Sequence, residues 1–229
     1  MVDVVRTKNF ANDAANFVLD LARKALAERN EFRIALSGGN TPRPVHSEIA
    51  RIGRDLPWDR VLITFGDERC VPPDDDESNF KMARETLLLP GAVPDKSVLR
   101  MRGEIEPHLA AQEYQDEVDL LATQRGEQIY QHDLILLGLG PDGHTASLFP
   151  ETAALDEINQ RVVANFVPKL NTWRLTFTFP LINHARHICF LVNANKNADL
   201  IERVIEGDPK FPASRVKPGN GTLTWILGL

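Results

Sequence analysis

A short apolar run that ends in a glycine-rich loop constrains the fold of this chain more than any other stretch. Leu134–Leu137 is apolar at every position and lacks helical spacing, a pattern typical of a strand buried on both faces of a parallel sheet. Three glycines and a proline follow within residues 138–143. Open α/β sheets bind ligands beyond the carboxyl ends of their strands, so we expect a functional site at this loop.

Two side chains of this loop, Asp142 and His144, are suited to acid–base chemistry. They lie two residues apart on a tight turn, so both can face one cavity. Imidazole is the side chain best matched to moving protons near neutral pH. We therefore predict that His144 and Asp142 are catalytic residues.

The same loop also matches the dinucleotide-binding pattern G-x-G-x-x-G, through Gly138, Gly140 and Gly143. In that motif a helix begins inside the glycine loop and continues, whereas Pro150 follows here only seven residues after the last glycine. Asp142 would also place a negative charge beside the pyrophosphate. The context of the pattern therefore argues against a bound nucleotide.

Two earlier strands are predicted to end in loops of similar character. Phe32–Leu36 leads into Ser37, Gly38 and Gly39, and the helix that follows starts near Pro42, so its free N–H groups form a candidate anion site. Val61–Phe65 leads into Gly66-Asp67-Glu68-Arg69. Charges at the end of a buried strand favour a site role for Asp67 and Arg69, and guanidinium is the natural bidentate partner of phosphate.

The remaining pattern predicts further helices and strands around this framework. One helix is predicted to start at Asn12 or Asp13, either of which can cap it, and a second to start at Ser78. Two more are predicted over residues 106–122, with Leu109 facing the core, and over residues 198–204. The predicted strands are 98–101, 162–167, 175–179, 188–192 and 221–228. Together they predict one α/β domain over residues 1–229, a three-layer α/β/α sandwich around a mostly parallel, Rossmann-like sheet.

Composition excludes several classes of function. With 43% hydrophobic and 25% charged residues the chain suits a globular protein, and its net charge of −6 disfavours nucleic acid and anionic membranes as partners. No apolar run is long enough to cross a bilayer and no signal peptide is apparent, so we expect a cytoplasmic protein. We also expect a monomer or a weak homo-oligomer. Neither Cys70 and Cys189 nor His184 and His187 have metal-site spacing, and we predict no metal.

Three separated signatures together resemble the 6-phosphogluconolactonase family. They are Ser37-Gly38-Gly39-Asn40-Thr41-Pro42, then Gly66-Asp67-Glu68-Arg69 with Ser78-Asn79 downstream, and then residues 138–150, which read GLGPDGHTASLFP. The order, the gaps and the total length all match that family. The resemblance implies an α/β/α fold and hydrolysis of 6-phospho-D-glucono-1,5-lactone to 6-phosphogluconate in the pentose phosphate pathway, without a cofactor.

The resemblance also implies roles for individual residues. His144 is expected to be the general base that activates water, and Arg69 with the Ser37-Gly38-Gly39 loop is expected to hold the substrate. Lys169 and Arg174 match phosphate or substrate contacts of the family. Asp142 or Asp67 is expected either to orient the imidazole or to bind sugar hydroxyls, and the sequence leaves that choice open.

Two other functions remain as alternatives. Glucosamine-6-phosphate deaminases resemble this chain and have a D-G-H loop, but their second signature reads D-E-Y and their loop continues toward N-E-P. Here Arg69 and the tail Thr145-Ala146-Ser147-Leu148-Phe149-Pro150 match the lactonase instead. A sugar-phosphate sensor would bind its ligand without turnover. The lack of a basic helix-turn-helix segment counts against that second alternative.

Overall fold

The structure is a computed structural model that describes residues 2–196 and 198–229. In chain order, the strands are β1 (Val2–Thr7), β2 (Phe32–Leu36), β3 (Val61–Phe65), β4 (Asp67–Arg69), β5 (Leu134–Leu137), β6 (Val162–Val167), β7 (Thr172–Phe177), β8 (His187–Asn193) and β9 (Thr222–Gly228). The α-helices are α1 (Phe10–Arg29), α2 (Pro42–Ile52), α3 (Asn79–Ala83), α4 (Pro107–Thr123), α5 (Phe179–Ile182) and α6 (Ala198–Glu206). Within these ranges, none of the helices has the length and hydropathy needed to cross a bilayer.

The central sheet has six parallel strands in the order β1-β9-β8-β5-β2-β3. Successive side chains of a strand point to opposite faces, so β5 contributes to two cores. Leu134 and Leu136 pack in a cluster with α1 and α2, while Ile135 and Leu137 pack in a second cluster with α4 and α6. The predicted three-layer α/β/α arrangement around a parallel sheet is therefore confirmed.

The order of the strands creates a crevice between β2 and β5. From β2 the chain runs outward to the edge strand β3, and it then returns to β5 on the other side of β2. The loops that follow β2 and β5 therefore leave the sheet in opposite directions, which opens a gap between their ends. Both glycine-rich loops of the sequence border this gap.

A second, antiparallel sheet has the strand order β4-β7-β6 and was not predicted. Its first strand, β4, consists of residues Asp67–Arg69 of the second signature and follows β3 after Gly66. The strand predicted over 175–179 is instead β7, which starts at Thr172, and Phe179 already opens a helix with a proline in its first turn. This sheet carries Arg69, Arg174 and the turn with Lys169 toward the ends of the central strands.

The other predicted elements lie within two residues of their predicted bounds, and three expectations differ from the structure. Helix α1 begins at Phe10 rather than at Asn12 or Asp13, because Asp13 accepts a hydrogen bond from the Thr7 hydroxyl inside the first turn. Residues 98–101 form no strand; only Val98 bridges to Ile63 of β3. Leu109 is half exposed, because the buried stripe of α4 runs through Ala110, Tyr114, Val118 and Ala122.

Candidate active site

One cavity of about 640 Å³ brings the three signatures together at the carboxyl ends of the parallel strands. Most of the predicted site residues line it, namely Ser37, Gly38, Gly39, Asp67, Arg69, His144, Lys169 and Arg174. Asp142, the remaining predicted residue, lies behind the imidazole of His144. A cavity of this size with a few convergent polar groups is typical of a small-molecule site.

The loop after β5 folds tightly around His144. The Gly140 N–H donates to the His144 carbonyl at 2.9 Å, and the Gly143 N–H donates to the Gly140 carbonyl at 3.0 Å. Gly143 has a φ of +79°, a conformation that favours glycine. At Gly140 a Cβ atom would lie only 2.0 Å from His144 Cε1, so the absence of a side chain there lets the imidazole lie flat on the loop.

Asp142 holds the imidazole from the side away from the cavity. Its Oδ1 lies 2.5 Å from His144 Nδ1. Burial opposes ionisation of this carboxyl, but hydrogen bonds from Lys169 and His144 outweigh it and lower the pKa of Asp142 to about 2. Because an ionised carboxylate only accepts hydrogen bonds, the proton of a neutral imidazole is assigned to Nδ1, which leaves the Nε2 lone pair free.

Lys169 and Phe149 complete the support of His144. The Lys169 ammonium pairs with the second carboxylate oxygen of Asp142, and it lies 5.7 Å from the centre of the Phe149 ring. The Phe149 ring stacks on the imidazole, with 3.9 Å between the ring centres and 23° between the planes. The imidazole is thus fixed by Asp142 at its edge, by Phe149 on a face and by the glycine loop.

Asp67, the other candidate for orienting the imidazole, has different partners. Its Oδ2 accepts a hydrogen bond from Ser147 Oγ at 2.7 Å, and its Oδ1 accepts one from Asn79 Nδ2 at 3.3 Å. The structure thus brings Asp142, and not Asp67, to His144. Asp67 instead connects the second signature to the loop after β5, through its hydrogen bond with Ser147.

Two arginines face each other beside the cavity. Arg69 of β4 and Arg174 of β7 are direct cross-strand partners. Burial and the neighbouring Arg69 lower the pKa of Arg174. An adjoining cavity of about 290 Å³ is lined by both, together with Arg43 of α2. The lining also includes Glu77 and Asp76, of which Asp76 pairs with Lys81. Positive charge still exceeds negative charge there, which makes the adjoining cavity a candidate anion site.

The loop after β2 lies against both cavities. Its N–H groups at Gly38 and Gly39 donate to no other group in the part of the chain that the structure describes, and the Ser37 hydroxyl is buried without a partner. Helix α2 begins directly after this loop, with Pro42 in its first turn. Free N–H groups beside a helix amino terminus favour an anion or an oxyanion.

Sequence reasoning missed three residues of the site: Arg43, Asn79 and Phe149. Arg43 follows Pro42, and its place in the first turn of the predicted helix was the signal that could have drawn attention to it. Asn79 and Phe149 stood inside the signatures, but nothing in their spacing indicates which side chain they contact. In the described ranges no group of three or more His, Cys, Asp or Glu side chains is arranged to hold a metal ion.

Comparison with known proteins identifies a family over nearly the whole chain. Residues 6–225 match the family model described as glucosamine-6-phosphate isomerases/6-phosphogluconolactonase. A 6-phosphogluconolactonase of Synechocystis is 40% identical over 208 residues, which cover 89% of this chain and 85% of the relative. One of Haemophilus influenzae is 34% identical over 200 residues, which cover 85% and 83%.

Solved structures give the same result for the fold. The 6-phosphogluconolactonase of Thermotoga maritima superposes with a TM-score of 0.87 at 25% identity, covering all of both chains. The 6-phosphogluconolactonase of Trypanosoma cruzi gives a TM-score of 0.85 at 29% identity, covering all of this chain and 94% of the other.

Proposed function

The chain belongs to the family of glucosamine-6-phosphate isomerases and 6-phosphogluconolactonases, and from this we propose that it hydrolyses 6-phospho-D-glucono-1,5-lactone to 6-phospho-D-gluconate. This hydrolase reaction is a step of the oxidative branch of the pentose phosphate pathway. One observation carries the assignment to the site: a supported imidazole and an opposed pair of arginines line the same cavity. Such a cavity can hold the phosphate at one end and present the lactone carbonyl at the other.

His144 is the general base of the proposed reaction. Nε2 takes a proton from a water molecule while the water oxygen attacks the C1 carbonyl, which gives a tetrahedral oxyanion and an imidazolium. The oxyanion collapses, the bond between C1 and the ring oxygen breaks, and the imidazolium returns the proton to the departing oxygen. Lactone and water thereby become the hydroxy acid, with no covalent enzyme intermediate and no cofactor.

Asp142 and Lys169 act through the imidazole. The Asp142 carboxylate accepts a hydrogen bond from Nδ1–H, so Nε2 keeps its lone pair toward the water, and the negative charge stabilises the imidazolium that forms. Lys169 pairs with that carboxylate. We therefore assign Lys169 to the support of Asp142 rather than to the phosphate, to which the family resemblance had pointed.

The phosphate is held by arginines at the far end of the cavity. Like charges that stand directly opposite across two strands repel each other, and burial adds to this cost. A phosphate dianion between Arg69 and Arg174 removes the repulsion and accepts paired hydrogen bonds from each guanidinium. Arg43 lines the adjoining cavity together with these two arginines and adds a third positive charge. The free N–H groups at Gly38 and Gly39 serve as donors to the substrate.

Phe149 gives a reason to favour hydrolysis over deamination at this site. The deaminase loop continues toward N-E-P, whereas here the tail of the loop supplies an apolar ring that covers the face of the imidazole. This tail matches the lactonase signature, and so does Arg69, where the deaminase signature has tyrosine. Acid release from freshly prepared 6-phosphogluconolactone, followed beside ammonia release from glucosamine 6-phosphate, tests the proposal. We expect acid release only; ammonia release, or tight binding of the lactone without turnover, would overturn it.

A further inference from the structure

Glu68 is the one residue of the charged second signature to which the proposed mechanism gives no part. Its side chain is only 2% exposed, and its carboxylate accepts four hydrogen bonds. Oε1 accepts from the N–H groups of Arg69 at 2.8 Å and Asn79 at 2.7 Å. Oε2 accepts from the N–H group of Phe80 at 2.8 Å and from Ser78 Oγ at 3.1 Å. A buried carboxylate is thus fully supplied with donors.

These bonds join two parts of the chain that are separated by a loop. Arg69 belongs to β4, whereas Ser78, Asn79 and Phe80 form the start of α3. The first N–H groups of a helix have no partner inside the helix. Glu68 supplies partners for two of them, and Ser78 Oγ accepts from the Lys81 N–H at 3.1 Å. The carboxylate therefore fixes where α3 begins relative to β4.

The start of α3 in turn touches the substrate side of the site through Asn79. Asn79 Nδ2 donates to the Asp67 carbonyl at 2.9 Å, and this bond sets the orientation of the amide. Asn79 Oδ1 then lies against Gly38, only 1.7 Å from where a Cβ of that residue would stand. The Asn79 side chain thus packs against the glycine loop and hydrogen-bonds to Asp67. Glu68 fixes the position of Asn79 by accepting a hydrogen bond from its backbone N–H.

We propose that Glu68 is a positioning residue for the sugar-phosphate grip. Among the described residues that line the two cavities Glu68 is absent, so it acts through the groups it holds. It sets the backbone of Arg69, which carries a phosphate-binding guanidinium, and the backbone of Asn79, which packs on Gly38. The inference rests on the proposed function for the identity of the ligand. It also explains why Gly66-Asp67-Glu68-Arg69 occurs together with Ser78-Asn79: the two are halves of one hydrogen-bonded unit.

A carboxylate suits this position better than any neutral side chain. Burial raises the pKa of Glu68, and the hydrogen bonds from Arg69, Asn79 and Phe80 oppose that shift. Four donors converge on the two oxygen atoms, and an ionised carboxylate offers them acceptor sites only. A glutamine keeps the shape but turns an NH₂ group toward two of these donors. Donors that face donors in a buried site lose their partners, and the segments must move apart to recover them.

The test compares Glu68→Gln with a matched control, Glu106→Gln. Glu106 is also a helix-capping glutamate, since it accepts from the Leu109 N–H at 2.7 Å, but it caps α4 and is exposed. The probe is 6-phosphogluconate, the stable reaction product, with binding measured by calorimetry and unphosphorylated gluconate as a second probe. We expect Glu68→Gln to weaken 6-phosphogluconate binding about tenfold or more, because a small displacement of a positioned group has a large effect. Glu106→Gln should bind it like the wild type.

Folding of each variant is checked by thermal unfolding, and Asn79→Ala serves as the second variant if Glu68→Gln does not fold. An unchanged affinity in a folded Glu68→Gln protein, or an equal loss in Glu106→Gln, would overturn the positioning role. So would a wild type that binds 6-phosphogluconate no better than gluconate. Lactone hydrolysis is followed in parallel. A wild type that binds 6-phosphogluconate but releases no acid from the lactone would contradict the proposed function alone. The affinities of Glu68→Gln and Glu106→Gln for 6-phosphogluconate would still decide the role of Glu68.

Discussion

Arg69 and Arg174 stand directly opposite each other across β4 and β7, two positive charges in register at the edge of the cavity. Side chains in this relationship are in contact range, and like charges there destabilise a sheet by a few tenths to about 1 kcal/mol. A protein that keeps such a pair beside a cavity gains from it when an anion binds. The pair therefore supports a phosphate grip more strongly than either arginine alone.

Replacing Arg174 by alanine should weaken binding of the phosphorylated substrate without harming the fold. We expect KM for 6-phosphogluconolactone to rise about tenfold or more with kcat little changed, since a charge-assisted hydrogen bond contributes roughly 1.5–3 kcal/mol. Unphosphorylated gluconolactone should show a much smaller change, and Arg69→Ala should behave in the same way. Thermal stability should stay equal or rise, because a repulsion is removed. Equal effects on both lactones would contradict the assignment.

Asp142→Asn tests the support of the imidazole. The amide retains the shape of the carboxylate but not its charge, so the preferred proton position on His144 and the stabilisation of the imidazolium are both lost. We expect kcat to fall about 10²-fold with KM nearly unchanged. Because the pKa of Asp142 lies at about 2, its carboxylate stays ionised from about pH 4 to 9, and no loss of wild-type activity should come from its protonation there. An Asp142→Asn enzyme with wild-type kcat would exclude this role.

Gly140→Ala tests the close approach of the imidazole to its loop. The added Cβ would lie 2.0 Å from His144 Cε1 and 2.1 Å from Nδ1, so the ring must leave its position. A displacement of this size in a catalytic group should lower kcat about 10²-fold. Gly138→Ala is the matched control in the same loop, because no heavy atom of residues 2–196 and 198–229, other than those of Gly138 and its two chain neighbours, lies within 4 Å of a Cβ there. Steady-state kinetics of both variants should separate them, and equal activities would show that the ring position does not matter.

Two buried histidines away from the reaction predict how stability depends on pH. Burial lowers the pKa of His46 to about 4 and that of His132 to about 3. Both are neutral in the folded chain, whereas in the unfolded chain they bind a proton below about pH 6.5. The contribution of the two neutral histidines to the free energy of unfolding is complete above that pH. It is lost as the pH falls toward their pKa values in the folded chain. At pH 5 the loss is about 2 kcal/mol for each histidine.

His46→Leu isolates one of these contributions. Neither ring nitrogen of His46 has a hydrogen-bond partner in the described part of the chain, so an apolar side chain of similar size should be tolerated. Urea unfolding at pH 7.5 and pH 5 should show a pH dependence smaller by about 2 kcal/mol than in the wild type. An unchanged difference between the two pH values would contradict burial of a neutral His46.

Much of the fold could be predicted because several strands are short, mainly apolar runs that end at a sharp turn. β2, β3 and β5 are largely buried runs followed by glycine-containing loops, and β6 is followed by Pro168, so all four start and end where the sequence indicates. β4 has no such pattern. It is a charged three-residue segment that becomes a strand only by pairing with β7. Residues 98–101 are the opposite case: the segment is largely apolar, but only Val98 pairs with a strand, at Ile63 of β3.

Most residues of the candidate site could be predicted from the sequence, but Arg43, Asn79, Phe149 and most of the contacts could not. Signatures at the ends of three strands point to one rim, because parallel strands share a direction. The contact of Asp142 with His144 is local, because the two residues lie two apart on one tight turn. The partners of Asp67 and Lys169, and the pairing of Arg69 with Arg174, depend instead on how the antiparallel sheet packs beside the loop after β5. These last three are long-range relationships that local spacing does not encode.

The role of His144 is measured by the rate of acid release from freshly prepared 6-phosphogluconolactone by His144→Ala, compared with the wild type at saturating substrate. We expect a loss of about 10²-fold or more in kcat, with unchanged thermal stability and unchanged affinity for 6-phosphogluconate, because His144 moves the proton and the arginines hold the phosphate. A His144→Ala enzyme that releases acid at the wild-type rate would contradict this role.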